Sequence, residues 1–441
     1  MTNHQGALEV GGRPLAAAAD AFGLAESGLA ARGMMLWLSG AIVLLPVRII
    51  ELPSNLELVD VWALVGMPLV WAALIHQRKP FSLAYTVPMY AILIGSMVST
   101  LAAPNPVRSL IVLLKEFYLF VWCATLSVAL STLSERNRRR LLVLWTGIAV
   151  LHGLLIGAQF FSAGVWRFTA GLGGKAVMFE AYRPAGLFIS EHAGDANSAA
   201  FYQLMGIVPL VASRPSRLVA AIAGGVLVSS ILFTGSMGTT LALLTGLAVA
   251  TMAGALLVRR FALGLVRVLP VAVVVAGLLA ALVASNPDRL EHFERIFLGR
   301  ADRSSEGRLA LWQRGVGVLI DRRTFLWGVG PENFREVDGM DKQLHNDLLA
   351  FLVERGVLGG LGLALLAGTA LGKGVLLVRR YVLSARAPRL EMIVFPAAIV
   401  ALVVVSMTHQ IFHRREMWFL LALQQAMLLT WREGALFDAD G

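Results

Sequence analysis

The chain has 441 residues, of which 57% are hydrophobic and only 15% charged, with a formal net charge of +10. A mean hydropathy of +0.72 excludes a water-soluble globular protein of this size and implies a polytopic membrane protein. The basic excess requires no nucleic-acid partner, because Lys and Arg collect in the loops on one side of a membrane protein.

Residues 1–33 are rich in Ala and Gly, with Arg13 and Arg32 ahead of the first apolar run. They lack the charged start, short apolar core and cleavage site of a signal peptide, so the first helix is expected to stay as an anchor. A helix crosses the hydrocarbon core with about 20 apolar residues. Runs of that kind lie at 34–52, 58–76, 81–103, 108–132, 141–163, 196–213, 217–235, 238–258, 264–284, 347–372, 389–411 and 416–431. The expected fold is therefore all-α, a transmembrane bundle of about twelve helices over 34–431, with a short tail at 432–441.

Orientation follows from the loops after alternate helices. They carry Arg78 and Lys79, then Arg136 and Arg138 to Arg140, then Arg214 and Arg217, then Arg259, Arg260 and Arg267, then Lys373, Arg379, Arg380, Arg386 and Arg389. All fall on one face if the helix count is even and both termini are cytoplasmic. Cys123 is the sole cysteine, inside the fourth run, where it reads as a small packing residue; no disulfide and no cysteine metal site is available.

Two segments on the opposite, outward face are too long to be turns, 164–195 and 285–346. The first contains Arg183-Pro184-Ala185-Gly186, Glu191 and His192, and ends at Asp195 to Ser198, which reads as a helix N-terminus. Arg183 is placed either near lipid headgroups or in a loop ion pair with Glu180 or Glu191. The second carries Arg289, Arg295, Arg300 and Arg303, then an amphipathic helix over 304–321 with Leu309, Trp312, Val316 and Ile320 on one stripe and Arg308 in its first turn. Such a helix lies in the membrane interface or caps the bundle. Gly328-Val329-Gly330-Pro331 supplies a tight bend, and His345-Asn346-Asp347 stands where this loop becomes a hydrophobic helix.

These residue types suit one chemistry. A saccharide on a polyprenyl diphosphate departs from a leaving group whose negative charge grows in the transition state, which fixed guanidinium groups stabilise. A sugar hydroxyl needs a base, and histidine, with an ordinary pKa of about 6.5, is suited to take its proton. His345, Arg308 and Arg183 provide both functions without a metal or cofactor, and neither outward loop holds an Asp-x-Asp pair. Glu354 lies nine positions beyond His345, about 13 Å deeper along a helix, so a packing role is expected for it. Pairing with Arg355 looks awkward because adjacent helical residues diverge. At the outer ends of the last two helices, a spacing of four puts His409 and His413 on one helical face, and Arg414 and Arg415 follow. This group reads as a headgroup-facing basic patch that assists phosphate binding, since two histidines without a third ligand do not make a metal site.

Arg308-Leu309-Ala310-Leu311-Trp312, Gly328-Val329-Gly330-Pro331 to Phe334, and His345-Asn346 through Glu354, Gly356 and Gly359 together resemble the signature of the O-antigen ligase and polymerase superfamily of bacterial membrane glycosyltransferases. The resemblance implies a GT-C-like enzyme of the inner membrane, with a periplasmic active site and an undecaprenyl diphosphate-linked glycan as donor. A ligase passes the glycan to lipid A-core, and a polymerase passes it to another lipid-linked repeat unit. By position, the resemblance implies His345 as base, Arg308 as diphosphate contact and Arg183 as a further substrate contact. Glu191, Arg303, Trp312, Asn346, Arg414 and Arg415 are additional candidate substrate contacts, while Gly328, Gly330, Glu354 and Gly356 shape the motif. Family members often carry Gly-Ser-Arg before the eighth helix, where this chain has Gly235-Ser236-Met237; Arg183 or the Arg414-Arg415 pair is expected to replace that charge. The Arg183-Pro184-Ala185-Gly186 turn followed by Glu191 looks closer to exopolysaccharide polymerases. The expected activity is inverting, metal-independent transfer to lipid A-core. Polymerisation on the same scaffold, a flippase for lipid-linked sugars and a noncatalytic scaffold stand as alternatives.

Overall fold

The computed structural model describes residues 27–47, 57–76, 85–161, 184–187, 195–257, 301–321, 324–339, 343–383 and 390–437, with isolated positions between 281 and 294. Among the described residues the only regular structure is helical. In chain order the helices are α1 (Ser27–Leu44), α2 (Leu58–His76), α3 (Thr86–Leu101), α4 (Pro106–Thr132), α5 (Glu135–Phe161), α6 (Ala196–Ala212) and α7 (Arg217–Phe233). They continue as α8 (Met237–Leu257), α9 (Ala301–Asp321), α10 (Phe334–Asp338), α11 (Asp347–Leu383), α12 (Leu390–Ser406) and α13 (Arg415–Phe437). Each expected apolar run corresponds to a helix except 264–284, which lies almost wholly outside the described residues.

Five helices, α2, α4, α5, α8 and α11, are long and apolar enough to cross a membrane, and five shorter apolar helices accompany them. The chain is a multi-pass membrane protein. Its outer surface fits that reading, because Val65, Leu69 and Leu256 are 71%, 72% and 78% exposed, a liability in water and an asset against lipid tails.

With lipid outside, apolar side chains gain little by leaving it, and close backbone approach drives helix pairing instead. Here α11 packs along α3 through glycines. A Cβ on Gly95 would lie 2.7 Å from the Gly359 amide nitrogen, and one on Gly362 would lie 2.8 Å from that of Ile92. Elsewhere the interior is aromatic: Trp122, Trp145 and Trp418 are fully buried, and Phe419 meets Trp145 edge-on with ring centroids 5.0 Å apart.

The two ends of the bundle differ in chemistry. At one end the basic connections meet each other: Arg139 Nε donates to the Ser213 carbonyl at 2.9 Å and its Nη2 to that of Arg214 at 3.1 Å. At the other end the connections before α2, α6, α11 and α13 meet, through Arg415 with Asp60, Arg414 with Asp195, and Asp347 with the amides of Ile411 and Phe412.

Candidate functional site

The glycine-rich turn and the break in α11 fit each other. Within α11, Gly356 has φ 67° and ψ −168°, a conformation open essentially to glycine alone. The break frees backbone groups that the turn then occupies: Val329 N donates to the Val353 carbonyl at 3.0 Å, Gly330 N to that of Glu354 at 2.8 Å, and Val357 N to that of Phe325 at 2.8 Å. Contact is so close that a Cβ on Gly328 would lie 2.3 Å from the Glu354 carbonyl oxygen, and one on Gly356 would lie 2.3 Å from that of Leu326. The motif glycines thus seat the loop on the helix. Asn333 fastens the far side, accepting from Asn105 N at 2.8 Å and donating to Ser109 Oγ at 2.7 Å, while Arg108 pairs with Glu336 at 2.9 Å.

Glu354 and Arg355 require a correction. They do pair, Arg355 Nη1 lying 3.1 Å from Glu354 Oε2, because the helix stops after Arg355 and its side chain is drawn across to Glu116 on α4. Arg355 Nε donates to Glu116 Oε1 at 2.9 Å, and Ser96 Oγ donates to Glu116 Oε2 at 2.6 Å. Arg355 also stacks 4.0 Å over the Phe351 ring. This buried set ties the base of the motif to α3 and α4.

His345 lies two residues before the start of α11. It is exposed and adopts φ 50°, a left-handed conformation that histidine tolerates better than most side chains but still rarely adopts. Asn346, a candidate substrate contact, has its side-chain oxygen engaged as the cap of α11, accepting from Leu349 N at 3.0 Å. Trp312, another such candidate, donates from Nε1 to the Leu344 carbonyl at 3.1 Å.

α9 starts at Ala301, so Arg308 lies about two turns in rather than in the first turn. The stripe that packs on the protein is Leu311, Gly315 and Val318, against Leu344, Leu349 and the start of α11. Leu309, Val316 and Ile320 are 55%, 44% and 69% exposed, and the following Phe325, Leu326 and Trp327 are 48%, 55% and 57% exposed. The helix therefore both caps the bundle and turns an apolar face outward, as an interfacial helix does. Arg308 is half-buried. Unlike Arg108, Arg355, Arg414 and Arg415, it makes no ion pair among the described residues. Burial lowers its pKa, yet a guanidinium remains cationic.

The basic group at 407–415 is not a headgroup-facing patch. α12 ends at Ser406 and α13 begins at Arg415, so His409 and His413 lie in a connection and share no helical face. Arg415 is buried and inserts between Glu57 Oε1 at 3.0 Å and Asp60, whose Oδ1 accepts from Nε at 2.9 Å. Arg414 pairs with Asp195 at 2.9 Å. His413 Nε2 lies 3.5 Å from Glu116 Oε1; burial lowers its pKa, opposed by the bond to Glu116 and reinforced by Lys115. Asp347 then fixes the same connection to α11, its Oδ2 accepting from Ile411 N at 2.8 Å and Phe412 N at 3.2 Å. The segment is a keystone joining the connections before α2, α6 and α11.

In the first long loop, Arg183 and Glu191 lie outside the described residues, as does the side chain of Arg303. The turn that follows Arg183 is described and buried. Gln159 accepts from Ala185 N at 3.0 Å and Gly186 N at 2.9 Å and donates to the Gly186 carbonyl at 3.1 Å. His152 accepts from Leu187 N at 3.1 Å. Asp195 caps α6 as expected, accepting from Ser198 N at 3.0 Å. Met237 opens α8 and is 49% exposed. Arg415 cannot stand in for the arginine missing there, since its guanidinium is committed to α2. Sequence reasoning passed over Gln159, His152 and Asp60, and read Asp347 only as part of the helix start. The available signal was polar side chains in or beside apolar spans, which call for partners.

Residues 218–364 match the family model described as O-antigen ligase, a segment that runs from α7 through α9 and the glycine turn to the broken helix α11. No curated protein matches the chain. The matched segment, about a third of the chain, contains Arg308, Gly328, Gly330, His345 and Gly356 in the arrangement just described, and it is in this segment that the chain is similar to O-antigen ligases.

Proposed function

We propose that the protein transfers a glycan from undecaprenyl diphosphate to a saccharide acceptor, lipid A-core, at the periplasmic face of the bacterial inner membrane. The carrying observation is Arg308, a half-buried guanidinium with no ion-pair partner among the described residues, on a helix hydrogen-bonded to the residue before an exposed His345. A cation without an ion-pair partner among the described residues, beside an apolar outward face, suits a diphosphate whose polyprenyl tail lies in the bilayer.

In this reading Arg308 stabilises the departing diphosphate, with Arg183 as a further contact. His345 removes the acceptor hydroxyl proton as the hydroxyl attacks the anomeric carbon from the side opposite the diphosphate, inverting its configuration. The chemistry requires no metal or cofactor. Residues 1–33 and 432–441 face the cytoplasm, as the basic loops dictate.

Polymerisation of lipid-linked repeats uses the same machinery, and the Arg183 turn with Glu191 favours it. A flippase is disfavoured because the buried charges Glu116, Glu354 and Arg355 are matched to one another and do not line a path. The test is transfer by protein in nanodiscs supplied with lipid-linked glycan and acceptor. His345→Ala and Arg308→Ala are each expected to lower the rate by roughly a hundredfold or more while the protein still inserts. Wild-type rates in both variants would overturn the proposal. Glycan gels of a deletion strain separate the acceptors: long chains vanish from lipid A-core for a ligase, and a single-repeat ladder remains for a polymerase.

A further inference from the structure

We infer that Trp312 and Asp347 are positioning residues that clamp His345 from both sides and set its placement relative to Arg308; the inference rests on the proposed transfer reaction. Three observations meet at this point. His345 occupies a left-handed backbone conformation at φ 50°, which tertiary contacts must over-determine if it is to persist.

On its N-terminal side, the carbonyl of the preceding residue, Leu344, accepts from Trp312 Nε1 at 3.1 Å. Leu344 itself is buried, 1% exposed, against Gly315 of the same helix. On its C-terminal side, the carboxylate of Asp347 is buried and accepts from two consecutive backbone amides, Ile411 and Phe412, at 2.8 and 3.2 Å. Asp347 does not cap its own helix, because Asn346 already does so. Its carboxylate is directed across to the keystone connection, where Phe351 and Phe412 stack edge-on at 4.7 Å.

Trp312 has a second consequence. It follows Arg308 by four residues on α9, so the two lie on one helical face about 6 Å apart along the axis. A hydrogen bond from that face to the Leu344 carbonyl therefore fixes the guanidinium and the imidazole in one frame. Asp347 fixes that frame to α2, α4 and α6 through Arg415, His413 and Arg414 of the connection it holds. A base and a diphosphate contact carried by separate helices need such a cross-link, because misplacement by about 1 Å can cost a hundredfold in rate. Trp312, a candidate substrate contact by its place in the motif, acts here through backbone rather than through sugar.

The test measures kcat and donor KM for Trp312→Phe, Asp347→Leu and Asp347→Asn in nanodiscs, beside thermal unfolding of each. Trp312→Phe keeps the ring and removes only the N–H; Asp347→Asn keeps an oxygen that can accept both amides. Trp312→Phe and Asp347→Leu are expected to lose roughly ten- to a hundredfold in kcat with donor KM little changed, and Asp347→Asn to recover most of that loss. Wild-type kcat in Trp312→Phe, or a loss confined to KM or to melting temperature, overturns the inference, and Trp312→Phe decides alone if Asp347→Leu fails to insert. An active His345→Ala would instead sink the proposed reaction itself, whereas an inactive His345→Ala beside fully active clamp variants sinks only the clamp.

Discussion

Replacing Gly356 by alanine tests whether the break in α11 is required by the loop that docks on it. The substitution forces a Cβ into φ 67°, ψ −168°, a glycine-only region that costs about 1–3 kcal/mol for other residues. The same Cβ would lie 2.3 Å from the Leu326 carbonyl oxygen and 2.6 Å from its carbon. Both are backbone atoms that cannot rotate away, which adds about 1–3 kcal/mol of overpacking. The expected sum is roughly 2–6 kcal/mol, relieved in part if the turn lifts off and gives up its bonds to the Val353 and Glu354 carbonyls. Gly372 lies in the same helix with nothing within 4 Å of its Cβ position, so Gly372→Ala should be neutral or stabilising by up to about 1 kcal/mol. Reversible unfolding in mixed micelles gives the stabilities, and the transfer assay reports whether the docked turn matters to activity. A Gly356→Ala protein as stable and active as Gly372→Ala would refute the reasoning.

Two further perturbations follow from the buried charges. Arg355→Met removes the partner of a fully buried Glu116 and should cost about 3–5 kcal/mol, with part recovered by adding Glu116→Leu, which removes one of the two carboxylates that Arg355 pairs and leaves only Glu354 without its guanidinium; unfolding of the single and double variants measures both. The lowered pKa of His413 means that the folded protein favours neutral imidazole. The unfolded chain therefore binds the extra proton first, and this contribution to stability is present above about pH 6.5 and lost as pH falls through the folded value. His413→Gln should flatten the acid limb of the stability profile below about pH 6.5; an unchanged limb would assign it to other groups.

Length and periodicity of apolar runs were sufficient to determine the helical bundle, since a span must satisfy its own backbone and therefore declares itself locally. The same holds for the bend at Gly328 to Gly330 and the cap at Asp195, which depend on residues a few positions apart. The basic loops at Arg139 and at Arg214 lie at the same end, where Arg139 donates to the Ser213 and Arg214 carbonyls. The partners of the charged side chains were decided only in three dimensions. Arg415 finds Asp60 from 355 positions away, and nothing near either residue in the chain reports that burial. Arg414, His409 and His413 looked like a free basic face because a helix was assumed through the point where it ends. Glu354 and Arg355 pair because that helix breaks one residue later, and Glu116 supplies the second carboxylate. For His345 the motif supplied the residue and the accompanying Arg308, whereas the hydrogen bonds of Trp312 to the Leu344 carbonyl and of Ile411 and Phe412 to Asp347, on either side of it in the chain, exist only once α9, α11 and the 407–414 connection have come together.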